Sequence, residues 1–366
     1  MKTLFLGDVC ATALTKELYE KQDKSTLFGR VLSIFEESDF RMVNLECALT
    51  ERDCKIEKLG PPLKSPVNTA GLLKDLGVDA CGLSNNHVFD YGKKGMADTL
   101  DALSRAGILS TGYGTDEADA RKNLFVQKDG ETIAIVAVCE REYNYALPDR
   151  EGTRVYDCYD TLDDIREAKQ AADRVIVLYH GGKEHCRYPS PRLRKLCQAM
   201  ARSGADLILC QHSHCIGCYE KYGDSHILYG QGNFHFVYDK KLPSESSEEM
   251  WHSCLAVRYD TKQNAVEWIP IKVDPQTYGV YLVPQEESQA ILAAFQSRSQ
   301  ELLSNAWLDG WKAFCEAIRA PYTKAAYTAI ESDYQKEKFA HFLDCEAHTD
   351  VWRELFFTKN LTNEKN

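Results

Sequence analysis

Short apolar runs alternate along this chain with stretches whose apolar positions recur three and four residues apart. The runs Leu4–Leu6, Met42–Leu45, Ala80–Leu83, Ile133–Val138, Val175–Tyr179 and Leu207–Cys210 have strand length and are largely apolar, as strands covered on both faces are. Between them lie helical patterns. Met96, Leu100 and Leu103 share one face that Gly107 ends; Leu193, Leu196 and Met200 share another between Pro191 and Gly204. Strand and helix alternating in this way predict an α/β fold.

From Ile227 the pattern turns to strands at Ile227–Tyr229, Cys254–Tyr259 and Val266–Ile271, which are expected to pair antiparallel. The polar stretch 243–249 reads as a surface loop. After Pro284 the character is helical, over 285–304 and 307–320 and beyond. The expected organisation is therefore one domain over 1–283 and a helical C-terminal extension over 284–366 packing on it, with 359–366 frayed. Trp307, Trp311, Phe314, Phe339, Phe342, Trp352 and Phe356 are expected to pack that extension and to cover part of any crevice. No repeat of solenoid period is visible.

The 366 residues are 44% hydrophobic and 27% charged, ordinary for a globular protein. The net charge of −11 argues against nucleic acid or an anionic membrane surface as partner, since both require a basic footprint. The first apolar stretch is too short for a secretory signal, and no run reaches a membrane span. The 14 cysteines then read as reduced thiols, which predicts a cytoplasmic protein.

The candidate chemistry lies just beyond the predicted strands: Gly7-Asp8, Asn44-Leu-Glu46, Asn85-Asn-His87 with Asp90, His180-Gly-Gly, and His212-Ser-His214. In an open α/β sheet the carboxyl ends of the strands converge on one rim, so these distant residues are expected in a single crevice. Mixed imidazole and carboxylate donors suit transition metals rather than Mg or Ca. In an extended stretch, His212 and His214 would share a face, whereas adjacent Asn86 and His87 would point apart. Each cluster also has a plain reading, as a turn, a solvated acid or a structural histidine; their joint order favours a metal site.

The run Gly7-Asp8, Asn44-Leu-Glu46, Asn85-Asn-His87-Val-Phe-Asp90-Tyr-Gly92, His180-Gly-Gly-Lys-Glu184, Gln211-His-Ser-His214 and Gly230-Gln-Gly-Asn-Phe234 resembles the bacterial capsule-synthesis CapA/PgsA family, over roughly residues 2–272. That family is linked to poly-γ-glutamate and is similar to the calcineurin-like metallophosphoesterases. The resemblance implies a four-layer α/β/β/α sandwich and two divalent ions, Mn, Zn or Fe. It implies Asp8 and His214 on one ion, Asn86, His180 and His212 on the other, and Glu46 bridging. His87 would be a general acid oriented by Asp90, with Glu184 lining the pocket; Asn85 and Arg141 are, beside the resemblance, further candidates for substrate contact. The superfamily pattern Asp-x-His is broken by Cys10, either a thiolate ligand or a buried thiol.

Such a site implies hydrolysis of a phosphoester or of a γ-glutamyl or peptide amide. Two alternatives are a metal-independent peptide epimerase on the same fold and a non-catalytic component binding a peptide or polyanion. The expected partner is a small-molecule, peptide or polyanionic substrate. Cys215-Ile-Gly-Cys218 lacks the second pair of a zinc ribbon. Gly112-Tyr-Gly114 reads as a turn, and no P-loop or Gly-x-Ser-x-Gly element occurs. Arg141 and Tyr143, just after a strand, face either the cleft or the surface.

Overall fold

A computed structural model describes residues 1–238 and 247–357. The apolar runs become neighbouring strands in two sheets. The first has the order Val280–Leu282, Ala265–Val273, Ser253–Asp260, Lys2–Cys10, Phe40–Leu45, Ala80–Gly82 and Leu109–Thr111, and Asn233–Phe236 also pairs with Lys2–Cys10. The second runs Cys218–Tyr222, Ser225–Tyr229, Leu207–Gln211, Arg174–His180, Glu131–Cys139 and Leu124–Lys128. Phe5, Met42 and Leu255 of one sheet meet Ile135, Ile176 and Leu209 of the other in a common core. Leu72, Leu73 and Met96 cover the far face of the first sheet. Ile165, Leu193, Leu196 and Met200 cover the far face of the second. Helices thus pack against both sheets, the α/β arrangement expected.

Both sheets are parallel at their centres, which explains why their strands are apolar on both faces. Ser253–Asp260 and Ala265–Val273 pair antiparallel, as expected. Ser225–Tyr229 departs from expectation by joining the second sheet, parallel to Leu207–Gln211. Its residues are all buried, which suits an interior position better than an edge. The first strand also runs further than its apolar residues suggest. Asp8–Cys10 gains a parallel partner in Asn233–Phe236, with an irregularity at Asp8 and Val9. A side chain at Gly7 would put its Cβ 1.8 Å from the Gly232 carbonyl oxygen, so that approach needs glycine.

The predicted helices form over Gly92–Arg105 and Pro191–Ser203. Ser190 caps the latter by accepting from Leu193 N at 3.0 Å, and Gly204 ends it in the left-handed region. In the C-terminal region, helices span Gln285–Glu301, Trp307–Ala317, Arg319–Thr328, Asp333–Asp344 and Glu346–Trp352. The first contributes Phe295 to the core between the sheets. The rest form their own cluster around Trp311, Ile318, Tyr322, Phe342 and Val351. Of the expected loop 243–249, residues 243–246 lie outside the described residues, and Glu248 opens a short helix, Glu248–Trp251. The expected frayed tail also lies outside them.

Candidate metal centre

Strand register brings the polar clusters together. Asp8 lies opposite Asn44 on one side and Asn233 on the other, and His180 lies opposite Gln211 in the second sheet. Asp8 and Asn44 sit within their strands rather than beyond them, and His180 is the last residue of Arg174–His180. Glu46 follows its strand, held by a backbone hydrogen bond from its N–H to Val9 O at 3.0 Å.

The donors converge at the rim. His180 Nε2 is 3.4 Å from Glu46 Oε1, and His214 Nε2 is 4.0 Å from the same oxygen. His214 Nδ1 lies 3.6 Å from Asp8 Oδ2 and 2.8 Å from Asn233 Oδ1. His180 Nε2 meets Asn86 Oδ1 at 3.0 Å and His212 Nδ1 at 3.2 Å. Two sets, Glu46 with His212 and His214, and Asp8 with Glu46 and His180, each place ligand atoms within 4.8 Å of one another. Glu46 belongs to both. These sets cut across the division of ligands that the family resemblance implies, placing His180 with Asp8 and His212 with His214.

Glu46 is the informative side chain. It is fully buried, and neither carboxylate oxygen has a hydrogen-bond partner. Burial first, then the charge of Asp8, pushes its carboxyl well above the ordinary range, against the pull of His214. A buried acid without a partner costs on the order of 1–3 kcal/mol or more, so the donors fit a site built for cations. Burial likewise lowers His180, against the opposing charge of Asp8, which keeps a ring nitrogen available as donor.

His87 and Asn86 both line a cavity of about 280 Å³. His87 Nδ1 is 2.7 Å from Asp90 Oδ2, and Lys58 Nζ donates to Asp90 Oδ1 at 2.6 Å and to the Asn86 carbonyl at 2.9 Å. Lys58 and Asp90 form a buried pair. Burial and the Lys58 charge depress His87, while Asp90 opposes them. Glu184 lines the same cavity, and although burial opposes it, Lys183 and His212 hold its carboxyl far below the usual range. Asn85 does not reach that space. Its amide bonds Asn44 Oδ1 and Leu45 O, and its oxygen accepts from His87 N and Val88 N, so its capacity serves the loop. Arg141 turns to Glu346 of the C-terminal helices, with Nη1 2.9 Å from Oε1, whereas Tyr143 faces the cavity.

Other expectations need correction. His212 and His214 are not in an extended stretch, for the strand ends at Gln211 and both adopt positive φ, 77° and 52°. They converge, with ring centroids 5.8 Å apart, through a left-handed turn that costs roughly 1–3 kcal/mol per residue. Cys10 is buried, and hydrogen bonding with Cys47 and then burial raise its thiol well above the usual range; no metal-ligand set among the described residues includes it. Cys215 and Cys218 are free thiols outside those sets. The sequence did not point to Glu142, 3.7 Å from His212 Nε2, or to Lys58. Neither sits in a motif, and only the fold brings them to the rim. Asn233 was visible inside Gly230-Gln-Gly-Asn-Phe234, without its task of holding His214.

The family model for "Bacterial capsule synthesis protein PGA_cap" matches residues 2–238. The "PGA biosynthesis protein CapA" of Bacillus subtilis is 31% identical over 236 residues, covering 63% of this chain and 62% of that protein. The "Capsule biosynthesis protein CapA" of Bacillus anthracis is 28% identical over 256 residues, 68% of this chain and 62% of that protein. The chain thus spans about six-tenths of the length of these curated relatives. The solved 5'-nucleotidase precursor from Thermus thermophilus aligns at 15% identity with a TM-score of 0.42, over 81% of this chain and 58% of that one.

Proposed function

The chain belongs to the bacterial capsule synthesis protein family, and we propose that it is a metal-dependent hydrolase holding two divalent ions, Mn, Zn or Fe, through Asp8, Glu46, Asn86, His180, His212 and His214. The observation that carries this is Glu46, a buried carboxylate without a hydrogen-bond partner that stands in both donor sets. When bound, the ions supply polarisation of a scissile oxygen and a nucleophile drawn from water at neutral pH.

The protein's own groups do the rest. Asp90 accepts from His87 Nδ1, which leaves Nε2 to carry a proton toward the leaving group. Lys58 fixes Asp90 and, by its charge, makes protonated His87 a stronger acid. Tyr143 and the C-terminal Tyr334, Lys338 and His341 bound the cavity and limit what enters. The substrate is a phosphoester or a γ-glutamyl or peptide amide, and the names of the relatives favour one from poly-γ-glutamate or capsule metabolism. Residues 1–283 form the catalytic unit, with 284–366 as its cover. No helix among the described residues is long and apolar enough to cross a membrane. Their free cysteines support a cytoplasmic location.

The test is elemental analysis of the purified parent, His180→Ala and His212→Ala, followed by phosphomonoesters, phosphodiesters and γ-glutamyl peptides as substrates. The parent is expected to retain transition metal and turn over one class. Both variants should lose most of the metal. Equal metal in all three refutes the assignment.

A further inference from the structure

A second set of donors lies outside the proposed pair of ions, at the seam between the sandwich and the C-terminal helices. Glu142, Cys345 and His348 bring ligand atoms within 4.8 Å of one another. His341 adds a fourth donor, with Nε2 3.4 Å from Glu142 Oε1 and its ring centroid 5.0 Å from that of His348. We propose that Glu142, His341, Cys345 and His348 form a mononuclear site for a borderline-soft divalent cation of the zinc class, which clamps the C-terminal helices over the crevice.

The local chain geometry supports this. Cys345 joins the helices Asp333–Asp344 and Glu346–Trp352 in extended conformation, with φ −68° and ψ 129°. His341 lies one turn before it and His348 three residues after, so the helix junction carries three donor side chains within one short stretch. The His348 ring is oriented from behind, since Tyr322 OH meets its Nδ1 at 2.6 Å and leaves Nε2 for the site. Tyr143 stacks on His341 with centroids 4.8 Å apart and planes 14° from parallel. Rings oriented in this way by outer partners accompany metal sites.

Donor chemistry and charge select the ion. One thiolate, two imidazoles and one carboxylate match a tetrahedral zinc-type set, and sulfur with nitrogen disfavours Mg or Ca. The thiolate and the carboxylate together balance a doubly charged cation. Ions have a route in, since Glu142, His341 and His348 all line the 280 Å³ cavity. The carboxylate comes from the sandwich and the other three donors from the C-terminal helices, so occupancy ties the two together. Glu142 Oε2 also lies 3.7 Å from His212 Nε2, so the clamp abuts the proposed pair of ions without sharing a donor with it.

The test loads the metal-stripped full chain with Co(II) and records the near-ultraviolet thiolate-to-cobalt charge-transfer band with the bound equivalents. The parent should show the band, and Cys345→Ser should lose it together with one equivalent of cobalt. Cys345→His should regain that equivalent without the band, which separates lost ligation from lost folding. His180→Ala should keep the band while losing other cobalt, so failure of the two-ion proposal and failure of the clamp read differently. Absence of the band in the cobalt-treated parent, or its survival in Cys345→Ser, overturns the clamp.

Discussion

The Asn44 amide nitrogen donates to Asp8 Oδ1 at 2.7 Å and stands 3.1 Å from His180 Nδ1, so one buried side chain orients a carboxylate of the first sheet and an imidazole of the second. The two ring nitrogens of His180 thus lie between the Asn44 amide on one side and Asn86 Oδ1 on the other, which fixes the plane of the ring. Removing Asn44 frees both proposed ligands to rotate. Asn44→Ala is expected to weaken metal binding about 10- to 100-fold, the usual loss when such an outer partner is deleted. A competition titration against a chelator reads the change, and parental affinity in the variant contradicts the orienting role.

Glu46→Gln separates binding from folding. The buried carboxylate contributes no hydrogen bond to the metal-free fold. Exchange for a neutral amide of the same shape should leave the metal-free protein at least as stable as the parent, because no charge then has to be buried. The rise in melting temperature that added metal gives the parent should vanish in the variant. Calorimetry with and without Mn or Zn measures both quantities. A metal-dependent rise of parental size in Glu46→Gln removes Glu46 from the centre.

How far the sequence foretells this site depends on whether a group lies in a local pattern. Asp8, Glu46, Asn86, His180, His212 and His214 each follow an apolar run that stops at polar residues, although Asp8 stays inside its strand, and the parallel register does the rest. The orientation of His212 and His214 was not legible, because a left-handed turn replaces the extended stretch that period-two spacing presumes. Ser225–Tyr229 takes other neighbours than its pattern suggests because apolarity reveals burial but not the partner strand. Arg141, expected toward substrate, is drawn to Glu346, 205 positions away, a contact that no local pattern encodes. Lys58 and Glu142 lie in polar stretches that resemble any surface loop.

The Lys58–Asp90–His87 chain yields a prediction in two parts. Lys58 and Asp90 are a buried pair 2.6 Å apart, so Lys58→Met leaves Asp90 with less compensation. A destabilisation of about 3–5 kcal/mol is expected from urea unfolding. The Lys58 charge also depresses His87. If His87 must be protonated to act, activity falls as pH rises through its pKa, and losing Lys58 moves that fall to higher pH. His87→Gln should lower kcat about 10²- to 10⁴-fold at unchanged metal content. A pH–rate profile for Lys58→Met that superimposes on the parent's contradicts the electrostatic part.

Arg192 fastens the C-terminal helices. Its Nη2 donates to Glu140 Oε1 at 2.6 Å and its Nε to Asp350 Oδ2 at 2.9 Å, while Ala347 N donates to Glu140 Oε2 at 3.0 Å. Glu140 and Asp350 are buried. Arg192→Met should therefore leave two buried carboxylates short of a cation and cost about 3–5 kcal/mol. The effect should be local, with faster amide exchange across Glu346–Trp352 and near-parental exchange in Leu207–Gln211. Uniform acceleration in both segments contradicts a fastening role.

His235 gives the fold an acid-sensitive point away from the proposed ligands. Its ring is fully buried, with Tyr19 OH 2.8 Å from Nδ1 and Nε2 2.8 Å from the Tyr278 carbonyl, so the neutral form donates from Nε2 and accepts at Nδ1. Burial pushes its pKa from the ordinary 6.5 down to about 4. Below the unfolded value the unfolded chain binds a proton that the folded chain refuses. Stability is therefore fully present above about pH 6.5, declines as pH falls, and stops declining through this group below about pH 4. The full contribution is about 3 kcal/mol. His235→Gln keeps one donor and one acceptor without titrating, so urea unfolding at pH 7 and pH 4 should show a decline about 3 kcal/mol smaller than the parent's. Parallel declines in the two proteins contradict the assignment of acid sensitivity to His235.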